Sequence, residues 1–460
     1  MNYRKTPAAL KKGILLFLCA GVFFSFSSCS LDFVTLREAD EPHPIPQSAV
    51  ETPAHDAPSP NLAELSEPEE ENQQEIQEDA AMWSALYDEK YGRGSSEKLI
   101  LTAEEIAAYN ARTIEACPTM YDLTDFVPTE EMLAELKSYA LPAGDHFDAD
   151  GNLIGEEQIA AILANIDAEG LGEELTAERA VVVRRCDMKT APTELGFYDW
   201  GDTQYSDIQS TELIFGTPVL ILHRSADGKF LYVQSEYYRG WIEADAAAVC
   251  GEEDFAEYCA PLHFVTVVVP KTELDGAVLD MGVVLTYESE TADAYQVKLP
   301  ARGEDGALVT KTADLPKTEA VRGYLPYTMQ NYYNQAFACL GVPYGWGGAD
   351  GGLDCSGFVC AVFRSFGIHI PRDTKEQKLY AGDVVDSSAM TADEVDAVLT
   401  GLTQSSPVLP TAIYTPGHVV LYLGKQNGVH TIIHAPQAGD VVKVATFDPN
   451  SKPTSIVAFH

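Results

Sequence analysis

The sequence predicts a multidomain protein: a helical N-terminal region, two small β-barrels in tandem and a C-terminal α+β domain. Three observations predict it. A chain of 460 residues is too long for one compact core and suggests roughly three folded units. Near residue 179 the apolar pattern changes from helical spacing to short β-branched runs separated by turn residues. From about residue 319 it changes again, to helices followed by strands.

Taken in order, residues 1–29 read as a leader. Arg4, Lys5, Lys11 and Lys12 precede an apolar run from Gly13 to Phe24, then Ser25-Phe-Ser-Ser-Cys29. A basic region followed by a short apolar run is a secretory signal, and the run falls short of the roughly 20 residues needed to span a bilayer. Residues 30–80 hold Glu41-Pro-His-Pro-Ile-Pro46 and Glu67-Pro-Glu-Glu-Glu71. Such a segment has too little apolar surface to order itself and is expected to be a disordered, acidic, Pro-rich tether. Residues 81–178 are expected to be helical. Thr102 followed by Glu105 is a capping box, and Thr129-Glu-Glu-Met and Glu156-Glu-Gln-Ile repeat the helical pattern.

The first barrel is expected over 179–260, from runs such as Val219-Leu-Ile-Leu-His223, Phe230-Leu-Tyr-Val-Gln234 and Gly240-Trp-Ile. The second is expected over 261–318, from Phe264-Val-Thr-Val-Val-Val269 to Ala307-Leu-Val-Thr310. The last unit, 319–460, begins with the helical run Tyr332 to Leu340, ended by Gly341. A glycine-rich loop follows, then a helix from Cys355 to about Phe366 with Val359, Val362, Phe363 and Phe366 on one face. Strands are expected at His418–Leu423, Thr431–His434, Val441–Val444 and Ile456–Phe459, with a helix near Thr391 to Leu399.

Composition bounds the function. Thirty basic against seventy acidic residues give a net charge of −40, which argues against nucleic acid, whose phosphates need Lys and Arg, and against docking on anionic lipid by charge. Seven of nine cysteines lie beyond the leader. Export permits disulfides, and Cys250 with Cys259 is close enough in sequence to pair, but an odd number leaves at least one free thiol.

Cys355 is that thiol. A cysteine at a helix N-terminus meets unpaired N–H groups and the positive end of the dipole, which favour thiolate. A buried structural thiol is the commoner fate, and Cys339 and Cys360, in apolar helical runs, fit it better. Histidines decide between the two. His418 opens a strand after Gly417, and His434 ends the next, so that in an antiparallel pair one ring orients the other. Zinc prefers tighter ligand spacings than these; residues 345–352 lack the Lys-Ser/Thr of a phosphate loop; no Gly-x-Ser-x-Gly elbow is present. No metal or organic cofactor is expected.

Pro343-Tyr-Gly-Trp-Gly-Gly, Asp354-Cys-Ser-Gly-Phe-Val, Gly367-Ile-His-Ile-Pro-Arg-Asp, Gln377, Gly417-His-Val-Val-Leu-Tyr-Leu-Gly and His434-Ala resemble the NlpC/P60 cell-wall cysteine peptidases. The resemblance implies a papain-like α+β fold for 319–460. Upstream, Leu101 to Asn110, Ile221 to Gly228 and Gly240-Trp-Ile resemble the γ-D-glutamyl-L-diamino acid endopeptidase branch, which has an N-terminal stabilising region and two bacterial SH3-type domains. Carried over, Cys355 would be the nucleophile, His418 its base, His434 the group that orients His418, and Tyr344 an oxyanion donor beside the Cys355 N–H. Asp354 and Ser356 match positions that bind a free substrate amine; Arg372 and Asp373 line the same cleft, Trp346 lies on the loop beside it, and Tyr238 or Tyr237 is the candidate contact from the first SH3-type domain. Between Gln377 and His418 this chain is longer than the family pattern.

The implied reaction is hydrolysis of the bond between γ-D-glutamate and the diamino acid of murein peptides, through a thioester, on short stems with a free N-terminal L-Ala. Two other readings stay open: a non-catalytic wall-binding lipoprotein working through its SH3-type domains, and an amidase or acyltransferase on the same fold. The leader's end also resembles a bacterial lipoprotein site, which implies export to the cell envelope with a lipid on Cys29; cleavage near Ser28 and release as a soluble protein is the alternative.

Overall fold

The computed structural model describes residues 70–402 and 409–460. The leader, Cys29 and the tether as far as residue 69 lie outside the described residues.

Four helices come first: α1 (Glu70–Tyr91), α2 (Ala103–Ala116), α3 (Glu130–Lys137) and α4 (Glu156–Asn165). Helix α1 corrects the expected end of the tether at residue 80. After Pro68 the segment is Glu, Gln and Ala, strong helix formers, and Trp83 and Tyr87 stand one turn apart and are buried. They join a core with Tyr332, Tyr333 and Phe337, far along the chain; the Trp83 and Tyr333 rings lie 6.3 Å apart. The capping box of α2 is formed: the Thr102 hydroxyl accepts from the Glu105 N–H at 3.3 Å, and the Glu105 carboxylate accepts from the Thr102 N–H at 2.8 Å. Tyr109 on its inner face donates to the Ala381 carbonyl.

The first β-unit holds β1 (Glu178–Val182), β2 (Cys186–Lys189), β3 (Gln209–Leu213), β4 (Pro218–Arg224), β5 (Phe230–Gln234), β6 (Arg239–Glu243) and β7 (Ala247–Val249), followed by α5 (Glu252–Cys259). Its sheet order is β3-β2-β6-β5-β4-β1-β7, with Val182, Met188, Leu213, Ile221, Val233 and Ile242 at its centre. The second β-unit holds β8 (Phe264–Val267), β9 (Lys271–Leu274), β10 (Ala277–Asp280), β11 (Val284–Glu290), β12 (Ala294–Arg302), β13 (Leu308–Pro316) and β14 (Ala320–Arg322). Five of these form one sheet in the order β13-β12-β11-β8-β14, and β9 pairs with β10. Because β14 pairs with β8, this unit runs past residue 318, where the sequence analysis ended it. A three-residue strand beside Lys317 and Glu319 is too short to show a period.

The last unit contains α6 (Met329–Ala338), α7 (Cys355–Arg364), α8 (Thr374–Tyr380), β15 (Asp383–Asp386), α9 (Ala392–Leu402), β16 (Thr411–Thr415), β17 (His418–Gln426), β18 (Val429–His434), β19 (Lys443–Phe447) and β20 (Ser455–Ala458). The six strands form an antiparallel sheet, β15-β20-β16-β17-β18-β19. Helices α6 and α7 cover one face through Phe358, Val359, Val362, Phe363, Leu421 and Ile433. Helix α9, from the longer connection after Gln377, covers the other through Val395, Leu399, Ile413, Tyr422 and Ile432. His430 belongs to that back face: buried, it bonds Tyr422 Oη at 2.8 Å and Asp396 of α9 at 2.7 Å.

Candidate active site

Helix α7 starts at Cys355 because Asp354 caps it. The Asp354 backbone is extended (φ −77°, ψ 175°) and its Oδ1 accepts from the Gly357 N–H at 2.6 Å, a bond that satisfies one of the donors left free at a helix start. The same carboxylate accepts from the Ser356 hydroxyl at 3.2 Å and the Gly347 N–H at 2.9 Å. Arg372 closes on it with two prongs, 3.0 Å to Oδ1 and 2.6 Å to Oδ2, the strong geometry for a carboxylate. Burial works to raise the Asp354 carboxyl; Arg372 and the donors outweigh it and hold it below the usual range.

Asp354 thus accepts five bonds and its charge is matched by a buried guanidinium, while the Ser356 hydroxyl donates to it and accepts from Arg372 at 2.9 Å. One expectation is corrected, that the helix N-terminus by itself favours a Cys355 thiolate. The thiol is only 8% exposed; burial, then the neighbouring Asp354 charge, push it up to about 12. The positive helix end is real, but the Asp354 carboxylate already occupies it. The nearby Val419 N–H, the Arg372 charge and the Ser356 N–H work the other way without winning.

The Val419 contact places the sulfur beside the start of β17, where His418 stands. Gly417, at φ 72°, makes the left-handed turn that a side chain would resist. His418 Nε2 lies 2.8 Å from His434 Nδ1 across the β17–β18 pair, which leaves His418 Nδ1 as the nitrogen not engaged with His434. Burial first, then His434, lower the His418 ring to about 4; burial, then Lys443, lower His434. Burial thus favours the uncharged form of each of the three groups, the thiol and both imidazoles. Either ring can donate in the His418–His434 bond; in the arrangement with the His418 proton on Nε2, donating to His434 Nδ1, Nδ1 of His418 is free to accept a proton.

Tyr344 lies at the start of the glycine loop, its N–H bonded to the Asp440 carbonyl at 2.8 Å. Burial, then the charges of Cys355 and Asp354, raise its phenol. The ring faces Tyr205 of the first β-unit, centroids 6.3 Å apart, and Tyr205 stands edge-on to Trp346 at 5.5 Å. The Trp346 indole donates to the Ser206 carbonyl at 3.2 Å, and Tyr205 Oη accepts from the Ala438 N–H at 3.0 Å. Arg372 Nε donates to Thr211 Oγ1 at 2.9 Å. Residues 205–211 of the first β-unit thus wall this end of the site. Sequence reasoning missed Tyr205; its one signal was an aromatic in the otherwise polar loop Gly201-Asp-Thr-Gln-Tyr205.

Tyr238 sits elsewhere on the same rim. Burial, then the Asp373 carboxylate at the head of α8, raise its phenol. Tyr237 is half-buried, its phenol raised by desolvation and then by Glu236. Gln377 ties α8 to the thiol helix, donating to the Pro371 carbonyl at 2.8 Å and accepting from Tyr414 Oη at 3.3 Å. Cys250 and Cys259 are not bonded, and all seven cysteines among the described residues are free thiols. Among the described residues no group of three or more His, Cys, Asp or Glu is placed to hold a metal ion, and no helix is long and apolar enough to cross a membrane.

Residues 341–452 match the NlpC/P60 family, and residues 197–243 match an SH3 domain of the SH3b1 type. The γ-D-glutamyl-L-lysine dipeptidyl-peptidase of Bacillus cereus is 24% identical over 292 residues, 57% of this chain and 80% of that one. The enzyme of the same name from Bacillus subtilis is 35% identical over 108 residues, 23% of this chain and 32% of that one. An NlpC/P60 endopeptidase from Photobacterium damselae subsp. piscicida superposes with a TM-score of 0.67 at 18% identity, over 81% of this chain and 96% of that chain, a likeness of fold.

Proposed function

We propose that this chain, a cysteine peptidase whose NlpC/P60 domain follows an SH3 domain, hydrolyses the γ-D-glutamyl–diamino acid bond of short murein peptides with a free N-terminal L-Ala. The observation that carries the proposal is the placement of the Cys355 sulfur beside Val419 N–H, next to a His418–His434 pair joined at 2.8 Å. The names of the relatives support the choice of bond.

In the proposed reaction Cys355 Sγ attacks the γ-carbonyl carbon as its proton moves to His418 Nδ1. The new imidazolium keeps its Nε2–H on His434 Nδ1, so the charge forms where an acceptor already waits. The carbonyl oxygen becomes an oxyanion, met by Tyr344 Oη and by the Cys355 N–H, which stands outside the ladder at the helix start. One such donor is worth about 3 kcal/mol in the transition state. His418 returns its proton to the departing amine of the diamino acid, the C–N bond breaks, and a thioester remains. Water, losing its proton to His418, then releases L-Ala-γ-D-Glu and the thiol. Arg372, Asp354 and Ser356 hold the helix start, while Tyr205, Trp346, Asp373 and Tyr238 line the rim that stops a longer peptide. The proposal places the enzyme in the cell envelope, exported by its leader and tethered by a lipid on Cys29.

Purified protein incubated with L-Ala-γ-D-Glu-L-Lys should release L-Ala-γ-D-Glu, seen by mass, and Cys355→Ala should not. An uncut tripeptide with Cys355 reduced overturns the hydrolytic reading. Wall-binding that survives Cys355→Ala, with no cleavage by either protein, supports the adhesive reading instead.

A further inference from the structure

We propose that Arg185 and Lys271, which belong to the two β-units, are positioning residues that hold the glycine loop of the active site from behind. The inference rests on the hydrolytic reading above. The loop, residues 345–352, is unusual backbone: Gly347, Gly348, Asp350 and Gly351 have φ of 60°, 85°, 56° and 74°. Its internal support is slight, with bonds from Gly348 N–H to the Gly345 carbonyl at 2.9 Å and from Gly352 N–H to the Ala349 carbonyl at 3.1 Å. Nor is its rear packed with apolar side chains. Asp350 and Gly351 line a cavity of about 350 Å³ together with Arg185, Asp187 and Glu212.

Polar clamps hold it instead. Arg185, between β1 and β2, donates through Nη2 to the Gly348 carbonyl at 3.1 Å and the Gly352 carbonyl at 3.4 Å. Lys271, at the head of β9, donates to the Gly351 carbonyl at 2.8 Å. Arg185 is itself fixed by two largely buried carboxylates, Glu212 of the first β-unit and Asp280 of the second, the latter at 2.5 Å. One guanidinium thus joins both β-units to the loop. Contact is close on the loop's outer flank too: a Cβ added at Gly348 would stand 2.5 Å from Glu212 Oε2, and one at Gly347 would stand 2.9 Å from Gln209 Cγ.

The far side of the loop faces the chemistry. Tyr344 and Trp346 lie at its start, and the Gly347 N–H donates to the Asp354 carboxylate that caps the thiol helix. A loop that drifts by 1 Å would carry the oxyanion donor out of register with Cys355, an error that costs about 10²-fold in rate. Arg185 and Lys271 touch no reacting atom in this scheme; they act through three carbonyls.

The test uses the full chain and the variants Arg185→Met, Arg185→Lys and Lys271→Met. Hydrogen exchange over residues 345–354 and the kcat and KM for L-Ala-γ-D-Glu-L-Lys are the readouts. Arg185→Met should speed exchange of the loop amides at least tenfold and lower kcat about tenfold, with KM within twofold. Arg185→Lys, which keeps the charge and loses the fork, should lie between it and wild type. If Arg185→Met fails to fold, Lys271→Met, on an exposed edge of β9, decides with a smaller effect of the same kind. Loop exchange or kcat at the wild-type level in every folded variant overturns the proposal, as does a change confined to KM. Failure of the wild type to cut the tripeptide refutes the hydrolytic reading alone, because loop exchange still reports whether the clamp exists.

Discussion

Reactivity of the Cys355 thiol toward a small disulfide, measured against pH, tests the resting state most directly. Burial and Asp354 raise the thiol from an ordinary 9.0 to about 12. At pH 8 the thiolate fraction is then about one part in ten thousand, against about one in ten for an ordinary cysteine, a deficit of about 10³. A more basic thiolate is a better nucleophile, with a Brønsted slope of about 0.4–0.5, which returns a factor of about 20. Cys355 should therefore react about 50-fold more slowly than an exposed thiol, and more slowly still for its burial. The log of the rate should climb by about one per pH unit from 6 to 10. Mixed-disulfide formation followed on the Cys355 peptide by mass spectrometry reads the curve without interference from the other cysteines. His418→Ala should leave the slope unchanged, because a neutral ring lends the sulfur no charge. A plateau between about pH 5 and 8, abolished by His418→Ala, would show a thiolate–imidazolium pair at rest and refute the reasoning. Hydrolysis itself should follow the base: with His418 near 4, kcat/KM holds above that pH and falls as the pH drops through it, when the ring takes a solvent proton and stops accepting one from sulfur.

Three further outcomes follow from the bonding pattern. His434→Ala removes the acceptor for His418 Nε2–H and should lower kcat about 10²-fold, whereas His434→Asn, which keeps an acceptor oxygen, should retain most of it in the same assay. Arg372→Met strands the buried Asp354 carboxylate and should cost about 3–5 kcal/mol in urea unfolding; adding Asp354→Leu should recover part of that, not all, since the cap and loop bonds go too. Trp83→Ala empties a site that is 4% exposed and should cost about 3–5 kcal/mol, with α1 becoming the first segment cut in limited proteolysis.

Much of this architecture was legible because local rules agree with the fold. The capping box at Thr102, the apolar stripe behind Cys355 and the helix inserted after Gln377 all follow from spacing alone, and the structure has helices there. The motifs also named Cys355, His418 and His434, which the fold brings to one place. Ionisation was not legible. A helix N-terminus favours thiolate by sequence, but its effect depends on where the Asp354 carboxylate points and how much water reaches the sulfur, and both are tertiary facts. The same holds for the partner of Asp354, Arg372, which lies 18 residues on and closes on it only in the folded chain. Tyr205, Arg185 and Lys271 carried no signal because their partners lie on other units. Helix α1 was hidden by its own polarity: its Glu and Gln content resembles a tether, and Trp83 buries against distant parts of the chain such as the Tyr333 ring.

That distant pairing dictates the order of assembly. Helix α1 packs with Tyr332 and Tyr333 of α6, while Tyr327 donates to the Phe459 carbonyl at 2.9 Å and the Phe459 ring lies tilted against Phe363, centroids 4.2 Å apart. The C-terminal core therefore cannot close until residues near 459 have emerged from the ribosome, more than 360 positions after the end of α1. Contacts of such long range fold slowly. Until α6 is made, the face of α1 that carries Trp83 and Tyr87 lacks the Tyr332 and Tyr333 rings it buries against.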